Sequence, residues 1–497
     1  MSSSTSAKSF LNVSHQFQLG RLLTESFHPK TRQLSQALKK ETAKGLRLLS
    51  EVDHEALDSL TQYASDFWEL YQDITTTLNR GNRIFMSGCG ATGRLALVLE
   101  TLFTRKFGEQ KVISFMAGGD FALIKSVESF EDQTSYGHRQ LMELGFQDGD
   151  LLIATSEGGE TPFVIGSAQK ASEVSRQKPY FIYCNPSEQL KGLDRCEEIF
   201  SNQNVKKKSI PVGPMAISGS TRMQASTALM FVVGECLLYQ HENKESFCSH
   251  YQEQIKKLYF KYENFSSFTD EEFKYYQENK VVNYISDPSL AISILTDTTE
   301  RSPTFSLNGF ENFLHSEQPA SLSYLFVKDT NLSEQGWQAL LCRPPRALSW
   351  KDLNRKIDLE EVYGFDISMK GLQKRKVEGE SFEITLNDGI IKFKLGQLDR
   401  AYNWGTDLFI VHLKLKMLLN AHSTSVMGLL GRFEGNVMSW VRPSNNKLID
   451  RSARYIKEIL DQRGVGKTYE EIVHLIFEEL KTIKENEPIV MKVVDRI

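Results

Sequence analysis

With 497 residues the chain is longer than one ordinary hydrophobic core organises, so two domains with helical additions are expected. A composition of 40% hydrophobic and 25% charged residues and a formal net charge of -4 give no electrostatic reason to bind nucleic acid, and no apolar run reaches the roughly 18 residues of a membrane span. The six cysteines never form CxxC and the ten histidines show no ligand spacing, which argues against a disulfide framework, a metal or a cofactor and fits a reducing cytoplasm.

The first ten residues, MSSSTSAKSF, are expected to lack fixed structure. Residues 22–79 read as helical, with Leu34, Leu38, Leu46 and Leu49 recurring near helical spacing between charges. Strands and helices then alternate: strand 83–87 into an amphipathic helix, strand 112–117, helix 121–127, strand 150–154, a helix from Pro162, strand 180–184 and a long helix from Thr221. Such alternation predicts a parallel sheet covered on both faces. Residues 247–276, polar and rich in aromatics, read as a helical connector to a second half that resumes at Ala291. There the buried-strand runs are 292–295, 322–326 and 408–411, with a long helix over 414–430 and a hairpin over 381–395 turning at Asn387-Asp388-Gly389. Beyond Arg442 two helices, 447–460 and 469–483, make a C-terminal cap.

Gly88, Gly90 and Gly93 let the backbone turn tightly between strand and helix, leaving amide N–H groups and the positive end of the helix dipole facing an anion. GCGATG formally matches GxGxxG. A dinucleotide site, however, wants an acidic residue at the end of the next strand, and here that strand ends in a second glycine turn, Ala117-Gly118-Gly119-Asp120. That favours a compact ligand. The third strand ends in Ser156-Glu157-Gly158-Gly159-Glu160-Thr161-Pro162, and Ser218-Gly219-Ser220-Thr221-Arg222 gathers three hydroxyls and a guanidinium at a helix start. Singly, each loop could be a turn or an N-cap; together, at carboxyl ends of parallel strands, they point to one crevice. Gly464-Val465-Gly466-Lys467-Thr468 ends like a nucleotide-binding loop, but Asp461 stands where its first glycine belongs and no buried strand precedes it, so a helix–helix turn is expected.

In this order the loops resemble the sugar isomerase (SIS) domain, and more closely the family shared by N-acetylmuramic acid 6-phosphate etherase and the glucokinase regulatory protein. Residues 88–95 are similar to its first loop, and Ala117-Gly118-Gly119 with Val127-Glu128-Ser129-Phe130-Glu131-Asp132 to its AGG…EGxED segment. Cys184-Asn185-Pro186 is similar to its CNP, ISGSTRM at 217–223 to its signature, and Leu23-Thr24-Glu25 to its LTE. In the second half DTTERSPTF at 297–305 resembles the etherase segment with its proposed acid, and KMLLNAHST at 416–424 the KxxLNxxST helix. Ser444-Asn445-Asn446-Lys447-Leu448 and residues 489–491 resemble the C-terminal helices. The resemblance implies an α/β fold of two SIS domains, doubly wound parallel sheets flanked by helices. The expected divisions are an N-terminal tail and helices over 1–56, a first SIS domain over 57–246, a helical connector over 247–276, a second SIS domain over 277–440 and a C-terminal helical cap over 441–497.

It further implies a site for a phosphorylated hexose or amino sugar made of Gly90, Thr92, Gly93, Ser156, Gly158, Ser220, Thr221, Arg222 and Lys416. Glu131 falls on the carboxylate that serves the etherase as base. Leu102 stands where the etherase has its acid; Glu300 would restore that carboxylate if the two halves pack as the etherase dimer does, whereas Glu100, two residues off register, is expected at the surface. Eliminating a lactyl ether needs a base and an acid with separated pKa values. Met215, Gln224 and Met230 replace Glu, Lys and Lys of the signature, and Glu160 replaces Ser or Arg, so two cations are lost and a carboxylate gained near the phosphate. The expected function is a cytoplasmic sensor or regulator that binds a sugar phosphate in the manner of the glucokinase regulatory protein, with a sugar kinase as candidate partner. The alternative is the etherase itself, a carbon–oxygen lyase giving N-acetylglucosamine 6-phosphate and lactate.

Overall fold

Strands β1 (Ile84–Gly88), β2 (Val112–Met116), β3 (Leu151–Ser156), β4 (Tyr180–Tyr183) and β5 (Lys206–Ser209) form a wholly parallel sheet in the order β2-β1-β3-β4-β5. The computed structural model describes residues 6–16, 19–127, 130–315, 318–441, 443, 446–484 and 487–497. β1 to β4 are apolar and buried because helices cover both faces of the sheet. β5 is Lys206-Lys207-Lys208-Ser209, which no apolar pattern announces. It lies at the sheet edge, where charged side chains discourage pairing with another chain. Glu69 and Asp73 receive Lys206 at 2.9 and 2.5 Å.

The second sheet holds β6 (Val281–Ser286), β7 (Ser323–Val327), β8 (Gly379–Asn387), β9 (Ile390–Leu395) and β10 (Leu398–Asn403) in the order β10-β9-β8-β6-β7. Matched strand for strand in chain order, this is the arrangement of the first sheet. β6, β7 and β8 are parallel, whereas β9 and β10 run antiparallel. The cause is connection length: a parallel return needs a crossover of a dozen or more residues, and β8 reaches β9 through Asp388-Gly389 alone. Both turn residues have positive φ, 47° and 78°, as a two-residue hairpin of matching twist requires.

Four helices join the halves. Ala91–Phe107 and Gln224–Leu238, from the first, pack against Ala291–Phe305 and Leu408–Leu429, from the second. The runs 292–295 and 408–411, expected as strands, are the buried beginnings of the latter two helices. A four-residue apolar run fits a buried strand and a helix buried all round equally well, and here the tertiary packing chose helix. The expected helix 121–127 is a single 3-10 turn, Asp120–Leu123, because Asp120 is drawn onto Arg343. At the N-terminus residues 1–5 lie outside the described residues, but Ala7–Val13 is helical, capped by Ser6, with Phe10 buried against Phe477. The segment 464–468 is the turn between helices Asn446–Gln462 and Tyr469–Glu479, with Thr468 and Glu471 forming a capping box. Among the described residues no helix is long and apolar enough to cross a membrane.

Gly234 is where the seam is tightest: a Cβ there would stand 2.3 Å from the Phe409 ring and 2.9 Å from Leu99. Gly234→Val is therefore expected to destabilise the chain by about 1–3 kcal/mol through overpacking. A urea midpoint equal to that of the wild type would refute this account of the seam.

Candidate functional site

The strand order reverses between β1 and β3, and a crevice outside the carboxyl ends of the strands is expected at such a switch point. The first and third loops leave from those two strand ends. In the first, Gly88 and Gly93 are packing glycines. A Cβ on Gly88 would lie 2.4 Å from the Gly93 nitrogen, and one on Gly93 would lie 2.4 Å from Met116 Cβ. Gly90 differs: its φ is 54° and no protein atom lies within 4 Å of where its Cβ would be, so it borders open space. The Thr92 hydroxyl accepts from the Cys89 N–H at 2.8 Å and donates to the Cys89 carbonyl at 2.9 Å, which commits it to holding the loop.

The third loop is fixed in the same way. Ser156 Oγ accepts from the Gly159 N–H at 3.0 Å and lies 3.0 Å from Thr161 Oγ1, while the Gly158 carbonyl accepts from Asn185 at 2.9 Å. Asn185 also pairs with Thr24 through its backbone N–H and hydroxyl, both at 3.0 Å, so the LTE and CNP segments form one clasp behind the loop. Glu160 is not a loose negative charge: Arg195 binds one of its oxygens, and Lys447 lies 3.0 Å from the other. The carboxylate expected to repel a phosphate is thus neutralised, and Lys447 brings a cation to this loop.

Glu131 is half-buried beside the first loop, its carboxylate 3.7 Å from the Cys89 thiol and its carbonyl accepting from the Phe163 N–H at 3.0 Å. Glu128 and Ser129 of the same segment, and Ser444 and Asn445 further on, lie outside the described residues. From the second half Glu300 reaches Arg94 at 3.8 Å. Burial holds its carboxyl above the ordinary range, partly countered by Arg94. Arg94, Met230, Glu300 and Lys416 surround a gap of about 10 Å³, the room of a single water.

Ser220 and Thr221 contribute backbone bonds that turn the chain into the helix Gln224–Leu238: the Ser220 and Thr221 carbonyls accept from Met223 and Ser226. Arg222 is buried and faces the second half, donating to Thr424 at 2.9 Å and lying 3.3 Å from Asp297. Lys416 answers from the other side, donating to the Arg222 carbonyl at 2.8 Å, Thr227 at 2.9 Å and Asn420 at 3.1 Å. Burial pushes its amine down to about 8, partly countered by Glu300. Gln224, in place of a cation, is held by Asp53 at 2.6 Å and by the Ala216 N–H.

Glu100 overturns its expected surface position. It is buried against Arg343 at 3.0 Å and Arg346 at 2.8 Å, because the second half supplies the guanidinium groups that let a carboxylate be buried at the seam. Sequence reasoning also passed over Glu157, Arg94 and Lys447. Glu157 followed a hydroxyl, Arg94 closed the glycine run, and Lys447 sits in the segment that resembles the family's C-terminal helices, so each had a signal, though none pointed to the site. Glu157 Oε1, Arg94 Nε and Arg222 Nε are buried without a hydrogen-bond partner, and buried polar atoms of that kind call for one.

Burial pushes the Glu157 carboxyl up to about 8, and Glu300 adds to the shift. Folded Glu157 keeps its proton up to that pH, whereas the unfolded chain releases it near 4.5, so stability falls as pH rises from about 4.5 to about 8. Lys416 acts oppositely above about 8, where the folded amine is neutral and the unfolded one still charged. Glu157→Gln removes the first dependence. Its stability relative to wild type is expected to grow between pH 5 and pH 8 in urea melts, and a constant difference would contradict the assignment.

A family model described as the glucokinase regulatory protein N-terminal SIS domain matches residues 67–172. The N-acetylmuramic acid 6-phosphate etherase of Pectobacterium atrosepticum is 30% identical over 217 residues, 43% of this chain and 67% of that protein. Etherase 1 of Bacillus licheniformis is 29% identical over 213 residues, 42% of this chain, and the chain spans 65% of that relative's length. The crystal structure of tagatose-6-phosphate ketose/aldose isomerase from Escherichia coli superposes with a TM-score of 0.43 at 10% identity, covering 80% of this chain and 97% of that one. The chain belongs to the N-acetylmuramic acid 6-phosphate etherase family, with a sugar isomerase domain of the kind found at the N-terminus of the glucokinase regulatory protein.

Proposed function

We propose that this protein binds a phosphorylated hexose or amino sugar in the crevice between β1 and β3 and reports its occupancy through the seam between its halves. The observation that carries the reading is the pair Arg222 and Lys416. The signature loop that begins the helix Gln224–Leu238 is tied directly to the second half, so a ligand that shifts that loop strains contacts in both halves. The gap of about 10 Å³ beside Glu300 and Lys416 is far too small for a sugar, so occupancy at that depth requires the seam to open. A ligand shifts such an equilibrium by its differential affinity for the two arrangements. In this reading Gly90, Gly93, Ser156 and Gly158 supply backbone contacts, Ser220 and Thr221 backbone and hydroxyl contacts, Lys447 adds a cation, and residues 57–246 and 277–440 are the two SIS domains. The protein works in the cytoplasm, and a sugar kinase is the partner to seek.

The etherase is the second reading. It is favoured by the relatives matched above and by Glu300, whose raised carboxyl would hold the proton that a leaving oxygen needs, with Glu131 as base. Incubation with N-acetylmuramic acid 6-phosphate, with lactate followed, separates the two. Under the proposal no lactate forms, and fructose or amino-sugar phosphates raise the melting temperature. Lactate released by wild type and not by Glu131→Gln would establish the etherase instead. Gly90→Ala, whose Cβ projects into open space but whose φ of 54° and ψ of -120° cost an L-residue about 1–3 kcal/mol, is expected to fold and to lose the ligand-induced shift. An undiminished shift would remove the first loop from the site.

A further inference from the structure

Away from the crevice, Glu235, His241 and His250 bring a carboxylate oxygen and two imidazole nitrogens within 4.8 Å of one another. We propose that they form a zinc site, with the Glu235 carboxylate, His241 Nε2 and His250 Nδ1 as protein ligands and a water in the fourth position. The three come from separate pieces of chain: the last turn of Gln224–Leu238, the link after it, and the middle of helix Lys244–Lys257. Their spacing follows no one helix face, so the sequence gives no ligand motif.

Two buried atoms point to the ion. Glu235 is fully buried, yet its Oε2 has no hydrogen-bond partner; the His241 side chain is 4% exposed, and its Nε2 has none either. An ion pair between Glu235 and His250 accounts for neither atom. A buried acceptor left alone is penalised, and one divalent cation taking a lone pair from each removes both penalties. His250 Nδ1 lies 2.5 Å and His241 Nε2 3.7 Å from Glu235 Oε1. Ligand atoms of a tetrahedral zinc stand about 3.3 Å apart at bond lengths of about 2.0–2.1 Å, so small side-chain rotations suffice. Two imidazoles and one carboxylate suit zinc better than calcium or magnesium, which prefer oxygen donors alone.

The surroundings agree. His250 is 28% exposed, which leaves a way in and room for the water. Gln254 Nε2 sits 2.9 Å from His250 Nε2 and 3.5 Å from Asp407, so the outer edge of the His250 ring is held in place by a polar partner. Lys106, whose charge acts on Glu235, donates to the Leu238 carbonyl at 2.6 Å, and Asp407, bound to Tyr239 at 2.6 Å, opposes it. Zinc here would pin the connector helix to the end of the first half.

The test uses the whole, tag-free chain stripped with chelator and dialysed. One zinc per chain should be taken up and should raise the melting temperature. Cobalt(II) in its place should give the visible bands of a four-coordinate nitrogen and oxygen site, without thiolate charge transfer. His241→Gln removes a ligand and should weaken zinc by at least about 100-fold, since losing only an outer-shell partner already costs about 10–100-fold, while Cys248→Ser leaves it unchanged. Wild type that takes up no stoichiometric zinc, or His241→Gln that binds as tightly, overturns the proposal. Should His241→Gln fail to fold, an octahedral or thiolate cobalt spectrum in the wild type overturns it alone.

Discussion

A line of buried charge runs from the interior of the second half to the signature loop of the first, and the arrangement of the molecule depends on it. Arg301 donates to Glu272 at 2.6 Å, Tyr284 at 2.7 Å and Asp297 at 2.9 Å; Asp297 in turn accepts from Ser423 at 2.8 Å and Asn420 at 3.0 Å and faces Arg222. His422 closes the far end on Glu272 at 2.7 Å. None of these groups reaches water, so each needs its partners. Breaking such a buried pair by removing one member costs about 3–5 kcal/mol, because the other charge is left uncompensated. The motif residues Asp297, Arg301, Asn420, Ser423 and Thr424 are therefore struts. They hold Arg222 and its loop in place, and Asn420 among them also lines the small gap beside Glu300 and Lys416.

The two halves repeat one strand order but divide the labour. After β1 the chain offers glycines; after β6 it offers Ser286-Asp287-Pro288-Ser289, and these groups are spent internally. Asp287 accepts from the Leu386 N–H at 2.8 Å, the Pro288 carbonyl from Arg105 at 2.9 Å, and the Ser289 carbonyl lies 2.8 Å from His412. β8 ends in a two-residue turn where β3 ends in a hydroxyl-rich loop. The second half thus lends a wall, with Glu300 and Lys416, to a crevice whose floor is in the first.

Much of this was legible in the sequence. Strands β1 to β4 announced themselves as short apolar runs between turns, and Asn387-Asp388-Gly389 announced the hairpin. The glycine and hydroxyl loops were legible because a tight strand-to-helix turn restricts residue type locally. What stayed hidden depends on partners distant along the chain. β5 is all lysine and serine because it is an edge; Glu100 looks like a surface residue until Arg343 and Arg346 arrive. The helix beginning at Leu408 is apolar nearly all round because it is covered on both sides, which erases the periodicity that marks a helix, whereas the one beginning at Ala291 opens on a short apolar run and then buries Asp297, Glu300 and Arg301. The hydroxyls of Thr92 and Ser156 sit on positions the resemblance assigned to the ligand, yet each is occupied by its own loop.

The clasp behind the loops bears on how the protein acquires its shape. Glu25 binds Arg451, 426 residues later, with Nε at 3.0 Å; Asn436 binds the carbonyl of His28 and the hydroxyl of Thr31 at 3.1 Å; and Gly219, in the signature loop, packs against both Glu25 and Tyr455. Contacts so distant in sequence form late, since the loop-closure entropy must be met before they reward the chain. During synthesis the first sheet can assemble early, but its signature loop gains its packing only when helix Asn446–Gln462 emerges, so the loop reaches its final arrangement after most of the polypeptide has been made.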